Sequence, residues 1–187
     1  RISTSTLVAL HEDPAALALA IRRPIPRSQD PYSRRGTQFH AWVEKQFGAM
    51  TLFDDSDLDY FDPIEEDGKL EDLKKSWLAS EYAQRKPAAI EVPFESVIAG
   101  VLVRGRIDAV YETPDGFEVV DWKTGSKQLG QSAAIQLAMY RLAWARLKSI
   151  EVSKVSAAFH YVPTSVTDKR ADLLDEAALV VLIQSLQ

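Results

Sequence analysis

Two acidic residues and a lysine lie close together in the segment 104–125, which reads RGRIDAVYETPDGFEVVDWKTG. The β-branched and aromatic residues on either side of TPDG predict two antiparallel strands joined by a turn. Asp108 would lie on the first strand. Asp121 and Lys123 would lie on the second, where side-chain alternation puts both on one face. Two carboxylates beside an ammonium group are typical of a site for a hard divalent cation.

A plainer interpretation of the same residues remains open. Asp121 and Lys123 could form a surface ion pair at a solvated strand end. The apolar run before Asp121 favours a deeply placed carboxylate, which would need a partner. Thr124 and Gly125 then allow the chain to turn sharply out of the strand. These residues alone are compatible both with a catalytic site and with a structural ion pair.

Other motifs surround this segment in a fixed order. GRID contains Asp108, DWKTG spans 121–125, and QLAMY spans 136–140. GTQFHAWVE at 36–44 comes earlier, and STSTL at 3–7 opens the chain. Together they resemble the PD-(D/E)xK nuclease superfamily, and within it the RecB-type nuclease domains that end UvrD-like helicase chains. Ile107 stands where the superfamily has the proline of its name, at a position that tolerates change.

The resemblance implies an α/β fold of restriction-endonuclease type, with a central mixed β-sheet flanked by helices. The residue pattern itself predicts mixed α and β structure. Helices are expected at about 5–21, 37–47, 70–82, 132–147 and 175–186, and strands at about 89–98, 101–111, 117–123 and 155–162. The proline-rich stretch 22–33 is expected to be a loop. The whole chain, 1–187, is interpreted as one domain with an acidic loop or insertion at 54–68.

The resemblance also implies which groups hold a metal. It makes the side chains of His40, Asp108 and Asp121 and the backbone carbonyl of Trp122 the ligands, with Mg²⁺ or Mn²⁺ as the ion. Lys123 would stand beside the attacking water and the scissile phosphate, where its charge stabilises the negative charge that develops. For His40 the alternative is a satisfied, partly buried helix residue.

Three further side chains complete the predicted site. Gln136 and Tyr140 are one helical turn apart and share a face, which the resemblance places beside Lys123. The RecB-type domains have an acid on the first strand that supports the site. Glu91 fits that position best and Glu95 is the second candidate, although a solvent-facing acid would look the same in sequence.

The composition sets bounds on class and cofactors. With 187 residues, of which 46% are hydrophobic, the chain can form one well-cored domain. It has no cysteine, which excludes disulfides, thiolate zinc sites and an iron–sulfur cluster. There is no basic-then-apolar leader and no apolar run of membrane-spanning length, so a cytoplasmic protein is expected. A chain that starts at Arg1 without methionine suggests a part excised from a larger helicase–nuclease, similar to the cluster-free AdnB-like subunits.

The formal net charge of −5 is unevenly distributed. The segment 54–72 holds ten acidic residues and one lysine, a charge of −9, which leaves the rest of the chain at +4. A mildly basic body is compatible with DNA as a partner, although a tight autonomous DNA-binding protein usually carries more positive charge.

The leading functional hypothesis is a Mg²⁺- or Mn²⁺-dependent deoxyribonuclease. The resemblance implies exonucleolytic degradation of DNA, as single strands delivered by an attached helicase motor, in double-strand-break repair and recombination. A partner helicase–nuclease subunit is a further expectation. The alternative from another class is a catalytically silent docking module that kept the nuclease fold, since fold alone does not determine function. A small-molecule phosphoesterase has no specific signal in its favour.

Overall fold

The computed structural model describes residues 2–22, 31–48, 68–126 and 130–185. The strands are β1 (Ile2–Ser3), β2 (Ala89–Ile98), β3 (Val101–Thr113), β4 (Gly116–Lys123), β5 (Val155–Tyr161) and β6 (Val166–Lys169). The helices are α1 (Thr4–Glu12), α2 (Pro14–Arg22), α3 (Pro31–Gln46), α4 (Gly68–Leu78), α5 (Glu81–Gln84), α6 (Gln131–Lys148) and α7 (Glu176–Ser185). None of these helices is long and apolar enough to cross a membrane.

Within the described residues, six strands form one mixed sheet around β3 and β4. β2 pairs antiparallel with β3, and β4 pairs antiparallel with the second half of β3. β5 runs parallel to β4, β6 runs antiparallel to β5, and β1 lies parallel to the first part of β3. The expected α/β fold, a central mixed sheet flanked by helices, is therefore confirmed.

Apolar side chains cover both faces of the sheet. On one face, α6 contributes Leu137 and Trp144 to a cluster that also contains Val119. On the other face, Phe39 of α3 and Trp77 of α4 pack in a cluster with Val120 and Trp122. Complete burial of a side chain such as Leu137 stabilises a fold by roughly 1.5–3 kcal/mol. These two layers fix where α3 and α6 can approach the ends of β3 and β4.

The predicted hairpin of β3 and β4 is confirmed. Thr113 pairs with Gly116, so the turn between them consists of Pro114 and Asp115. Gly116 therefore begins β4. Its φ is 150°, and a Cβ atom there would overlap the backbone carbonyl of Lys154. Only glycine tolerates both the backbone angle and this close approach.

The first part of the chain differs from the prediction. The helix expected over 5–21 is two helices, because Pro14 lacks the N–H that would continue α1 and instead begins α2. Asp13 caps the second helix, since its Oδ1 accepts a hydrogen bond from the backbone N–H of Ala16 at 2.9 Å. Ser3 caps α1, since its Oγ accepts a hydrogen bond from the backbone N–H of Thr6 at 3.0 Å.

Two other boundaries were wrong. α3 begins at Pro31, inside the stretch expected to be a loop, because proline is well suited to the first position of a helix. The third predicted helix is divided into α4 and α5, with Ser80 between them donating to the carbonyl of Trp77 at 2.6 Å.

The strands β1 and β6 were not predicted, since they are only two and four residues long. The predicted acidic loop at 54–68 falls almost entirely outside the described residues, apart from Gly68, which begins α4.

Candidate active site

The β3–β4 hairpin places two buried carboxylates near each other. Asp108 is 8% exposed and Asp121 is 3% exposed. Asp108 Oδ2 accepts a hydrogen bond from the backbone N–H of Trp122 at 2.8 Å, which ties the first acid to the residue that follows the second. A buried carboxylate is costly unless such donors or charges surround it. Asp121 therefore does not lie at a solvated strand end, as the plainer interpretation of its pair with Lys123 required.

Lys123 lies at the centre of a chain of polar contacts. Its Nζ is 2.6 Å from Asp121 Oδ2, as expected for two residues on one face of a strand. The same Nζ donates to Gln136 Oε1 at 3.1 Å, and Gln136 Nε2 donates to the hydroxyl of Tyr140 at 2.8 Å. Two of the three ammonium donors are thereby directed at fixed acceptors. The third can be directed at a substrate oxygen.

A second group of side chains meets on the α3 side of the hairpin. His40 Nδ1 is 3.4 Å from Glu91 Oε1 and 3.7 Å from Asp108 Oδ2. One potential ligand atom from each of these three residues lies within 4.8 Å of the other two, the sole such group of three in the described part of the chain. One imidazole with two carboxylates is a donor set that divalent metals accept. The structure therefore brings His40 and Asp108 together, and the assignment of His40 as a ligand stays a prediction.

Glu91 reaches this group through an irregularity in β2. Its φ is +48°, which is uncommon for a residue with a Cβ and costs of order 1–3 kcal/mol. The ladder pairs Ile90 with Ala109 and Val92 with Ile107, so Glu91 and Asp108 stand between paired positions. Ile90 packs in the cluster below α3 and Val92 in the cluster below α6, although residues two apart normally share a face. The strand therefore switches faces at Glu91.

The electrostatics of the group follow from burial and mutual charge. Burial by itself would lower the pKa of the His40 imidazole, but the nearby charges of Asp108 and Glu91 outweigh it and raise that pKa to about 9. Burial raises the pKa of the Asp108 carboxyl well above its usual range, although the charge of His40 opposes the change. A proton on His40 thus balances part of the negative charge that the carboxylates concentrate here.

One acid in the predicted ligand set occupies a different position. The Asp121 carboxylate contacts Lys123 and does not belong to the group of three, although its charge acts on both His40 and Asp108. Glu91, expected only as a supporting acid, does belong to the group, whereas Glu95 is exposed. Glu91 Oε1 is buried without a hydrogen bond of good geometry to any described residue. A bound cation would satisfy that oxygen, so the residues present fit a metal.

Two charged neighbours of the site were not foreseen. Arg106, two residues before Asp108, is 60% exposed and places its guanidinium 3.6 Å from Glu91 Oε2. Glu44, one turn after His40 on α3, lies near enough that Glu91 adds to the effect of burial in raising the pKa of its carboxyl. The sequence did contain a signal for each, namely the spacing of two on a strand and of four on a helix.

Tyr140 also packs in the cluster below α6. Its ring is 5.7 Å from that of Phe94, edge to face, and burial raises the pKa of its hydroxyl far above the usual range. Tyr140 therefore remains a neutral hydrogen-bonding group at all ordinary pH values. Its position fixes the amide of Gln136, and through it Lys123.

Comparison with known proteins places this geometry in context. A candidate exonuclease from Eubacterium rectale, solved by crystallography, superposes with a TM-score of 0.58 at 12% identity, covering 98% of this chain and 76% of the other. A second solved structure, SSO0001, gives a TM-score of 0.42 at 18% identity, covering 99% of this chain and 74% of that one. No curated protein matches the sequence. The first superposition supports the fold.

The sequence itself identifies the family. The model of the PD-(D/E)XK nuclease superfamily matches residues 1–180, which is nearly the whole chain. The match includes the hairpin, α3 and α6, and therefore every residue of the site described above. The chain belongs to the PD-(D/E)XK nuclease superfamily.

Proposed function

We propose that this chain is a metal-dependent deoxyribonuclease domain that hydrolyses phosphodiester bonds at the site formed by α3, β2, β3, β4 and α6. The observation that carries the proposal is the close approach of the potential ligand atoms of His40, Glu91 and Asp108, next to the Lys123–Asp121 pair. Family membership supports the reaction class. A silent docking module would have no use for a strained glutamate that completes such a group.

The residues that would hold a divalent cation are His40, Glu91 and Asp108, with Asp121 and the carbonyl of Trp122 as further candidates. Mg²⁺ and Mn²⁺ fit a set dominated by carboxylates. Such an ion, when bound, supplies positive charge to the phosphate and makes water a stronger nucleophile at neutral pH. The positive charge of the ion would also balance the negative charge of the carboxylates, which a proton on His40 balances in part when no ion is bound.

The chain's own residues have distinct parts in the proposed reaction. Lys123 directs its remaining N–H at a phosphate oxygen or the attacking water and stabilises the negative charge that develops. Asp121 and Gln136 hold Nζ in place by the contacts of 2.6 and 3.1 Å. Tyr140 orients Gln136 and does not transfer a proton, since its hydroxyl pKa is raised by burial.

The setting of this activity is also part of the proposal. The E. rectale relative is described as a candidate exonuclease, which supports an exonucleolytic reaction here. The resemblance at 3–7 and the modest charge of the body support delivery of single strands by a UvrD-like helicase motor, in repair and recombination. In that arrangement residues 1–187 form one nuclease domain of a larger enzyme, with a partner helicase–nuclease subunit beside it.

The test is cleavage of an end-labelled single strand by the purified chain and by Asp121→Ala and Lys123→Ala variants. Each variant should lose at least about 10²-fold in rate, because each removes a fixed charge from the reacting centre. A matched control is Lys86→Ala, which removes an exposed lysine outside the site. If the Lys123 and Asp121 variants cleave at the wild-type rate, the site lies elsewhere. If the wild-type chain does not cleave at all with Mg²⁺ or Mn²⁺ and at a DNA concentration high enough to offset weak binding, the docking-module hypothesis prevails.

A further inference from the structure

A groove lies directly beyond the end of β4, between the first turns of α3 and the face of α4. Its volume is about 240 Å³. Arg35 of α3 and Lys69 of α4 line it together with the hydroxyl-bearing residues Ser76 and Thr124. None of these four side chains has a part in the proposed reaction. The groove is therefore separate from the metal group.

Two residues that line the groove are nevertheless close in sequence to residues of the site. Thr124 is the residue after Lys123, just beyond the end of β4, and its hydroxyl lies within contact distance of a Cβ atom placed on Gly36 of α3. Arg35 precedes His40 by five residues on one helix, a rise of about 7.5 Å along the axis. A polymer that has one unit at Lys123 can therefore place a neighbouring unit in the groove. A small substrate bound at the metal group would not reach it.

The chemistry of the lining fits a sugar–phosphate backbone. A guanidinium and an ammonium group contact phosphate oxygens well, and hydroxyls add hydrogen bonds to phosphate or sugar. The acid Asp72 also lines the groove, so its net charge is only +1. This modest charge is better matched to a singly charged phosphodiester group than to a free, doubly charged phosphate.

An aromatic residue stands at the same end of the site. Tyr32 lies one turn before Arg35 on α3, and its side chain is 53% exposed. Its hydroxyl packs so closely on Gly125 that a Cβ atom there would overlap it. An exposed ring beside a cationic groove is the combination with which proteins bind single strands, by stacking on a base while cations follow the backbone.

We propose that this groove is a single-strand binding subsite. Arg35 and Lys69 contact the phosphates next to the bond that is cut, and Tyr32 stacks on a base. The position of the bond relative to the groove rests on the proposed function. The binding of the strand does not, because it needs neither metal nor cleavage.

The experiment measures binding apart from cleavage. A fluorescent oligothymidylate is titrated with the chain at low salt in excess chelator, and anisotropy gives Kd as salt is varied. The Arg35→Ala/Lys69→Ala double variant should bind at least about tenfold more weakly, and the slope of log K against log salt should shrink by about 1.4, for two phosphate contacts. Tyr32→Ala should weaken binding with little change in that slope.

Lys154→Ala is the matched control. Lys154 comes just before Val155, which pairs with Phe117 at the start of β4. Phe117 is about 20 Å along the strand from Lys123, so Lys154 is far from the groove. Its removal should leave Kd and the salt slope unchanged. The Arg35→Lys variant retains the charge and should bind more tightly than an Arg35→Ala variant. This difference separates the loss of a phosphate contact from damage to α3.

Each outcome decides the proposal. Wild-type affinity and slope in the double variant, an equal loss in Lys154→Ala, or no binding by the wild-type chain would overturn it. Cleavage assayed in parallel keeps the two hypotheses apart. A cleaving wild type with an unaffected double variant refutes the groove and leaves the nuclease intact. Binding that depends on Arg35 and Lys69 in a chain that does not cleave supports the groove and refutes the nuclease.

Discussion

At the scale of single residues, the site consists of two connected groups with different tasks. His40, Glu91 and Asp108 concentrate ligand atoms and negative charge. Lys123 is held by its contacts with Asp121 of β4 and Gln136 of α6. The N–H of Trp122, bound to Asp108, joins the groups. Changes in the first group should therefore affect metal binding, and changes around Lys123 should affect turnover.

Glu91 provides the clearest test of the first group. Glu91→Gln should weaken Mn²⁺ binding about tenfold or more, because it removes a charge while keeping the shape of the side chain, and calorimetry can measure it directly. Glu95→Gln is the matched control, since Glu95 lies on the same strand but is exposed. His40→Ala should also raise the metal concentration that cleavage requires. Equal Mn²⁺ affinity in the Glu91 and Glu95 variants would show that Glu91 is not a ligand.

Gln136 tests the second group. Gln136→Leu removes the acceptor that positions Lys123 Nζ, and a displaced catalytic group of this kind can lower kcat by about 10²-fold. KM and Mn²⁺ affinity should stay close to wild type, since no proposed ligand changes. Gln84→Leu, at the exposed end of α5, is the control. A raised KM with unchanged kcat would instead assign Gln136 to substrate binding.

At the scale of elements, the sheet determines which parts of the site a sequence can predict. Alternation on β4 predicted correctly that Asp121 and Lys123 share a face, and helical spacing predicted that Gln136 and Tyr140 do. The switch of faces at Glu91 was not predictable, because the positive φ of a glutamate results from packing on both sides of β2. The start of α3 at Pro31 has instead a local cause, since proline is well suited to the first position of a helix.

The pairing of β4, β5 and β6 also contains a buried histidine. His160 lies opposite Trp122, with Nδ1 3.0 Å from Thr167 Oγ1 and its ring 4.9 Å from that of Tyr82. Burial lowers its pKa from 6.5 to about 4. Between these values the unfolded chain binds a proton that the folded chain does not, so this residue makes stability fall as pH drops from about 6.5 to about 4.

Thermal unfolding measured between pH 7 and pH 4.5 tests this sign. Burial raises the pKa of Asp108, and this acts in the opposite direction in both chains. Between pH 7 and pH 4.5 the Tm of the wild type should therefore decrease relative to the Tm of His160→Gln, which cannot take up the proton. His11→Gln is a control, since His11 is exposed. Parallel pH dependence in wild type and His160→Gln would show that His160 does not contribute.

At the scale of the whole molecule, charge is distributed unevenly. A body at +4 with a segment at −9 should bind free DNA weakly, and salt should weaken binding further by counterion release. Attachment to a motor would replace affinity by a high effective concentration of strand at the site. The negative net charge is therefore compatible with a nuclease that receives its substrate from a neighbour.

The acidic segment can be tested by neutralising Asp54, Asp55, Asp57 and Asp59 to asparagine. The variant should bind a single strand more tightly at low salt, and the difference should disappear as salt screens the charges.

Cleavage by the isolated chain and by a motor-fused chain at equal, low DNA concentration tests the tether. Equal rates would mean that the domain holds DNA unaided.

The central claim is that the group at the end of β3 and β4 hydrolyses DNA only when it holds a divalent cation. The decisive measurement is cleavage of an end-labelled single strand, at a DNA concentration high enough to offset weak binding, with Mg²⁺ or Mn²⁺ and again after excess chelator. Cleavage should occur with either ion, stop in chelator, return when the ion is restored, and be lost in Asp108→Asn. Undiminished cleavage in chelator, or by Asp108→Asn at the wild-type metal requirement, would contradict the claim.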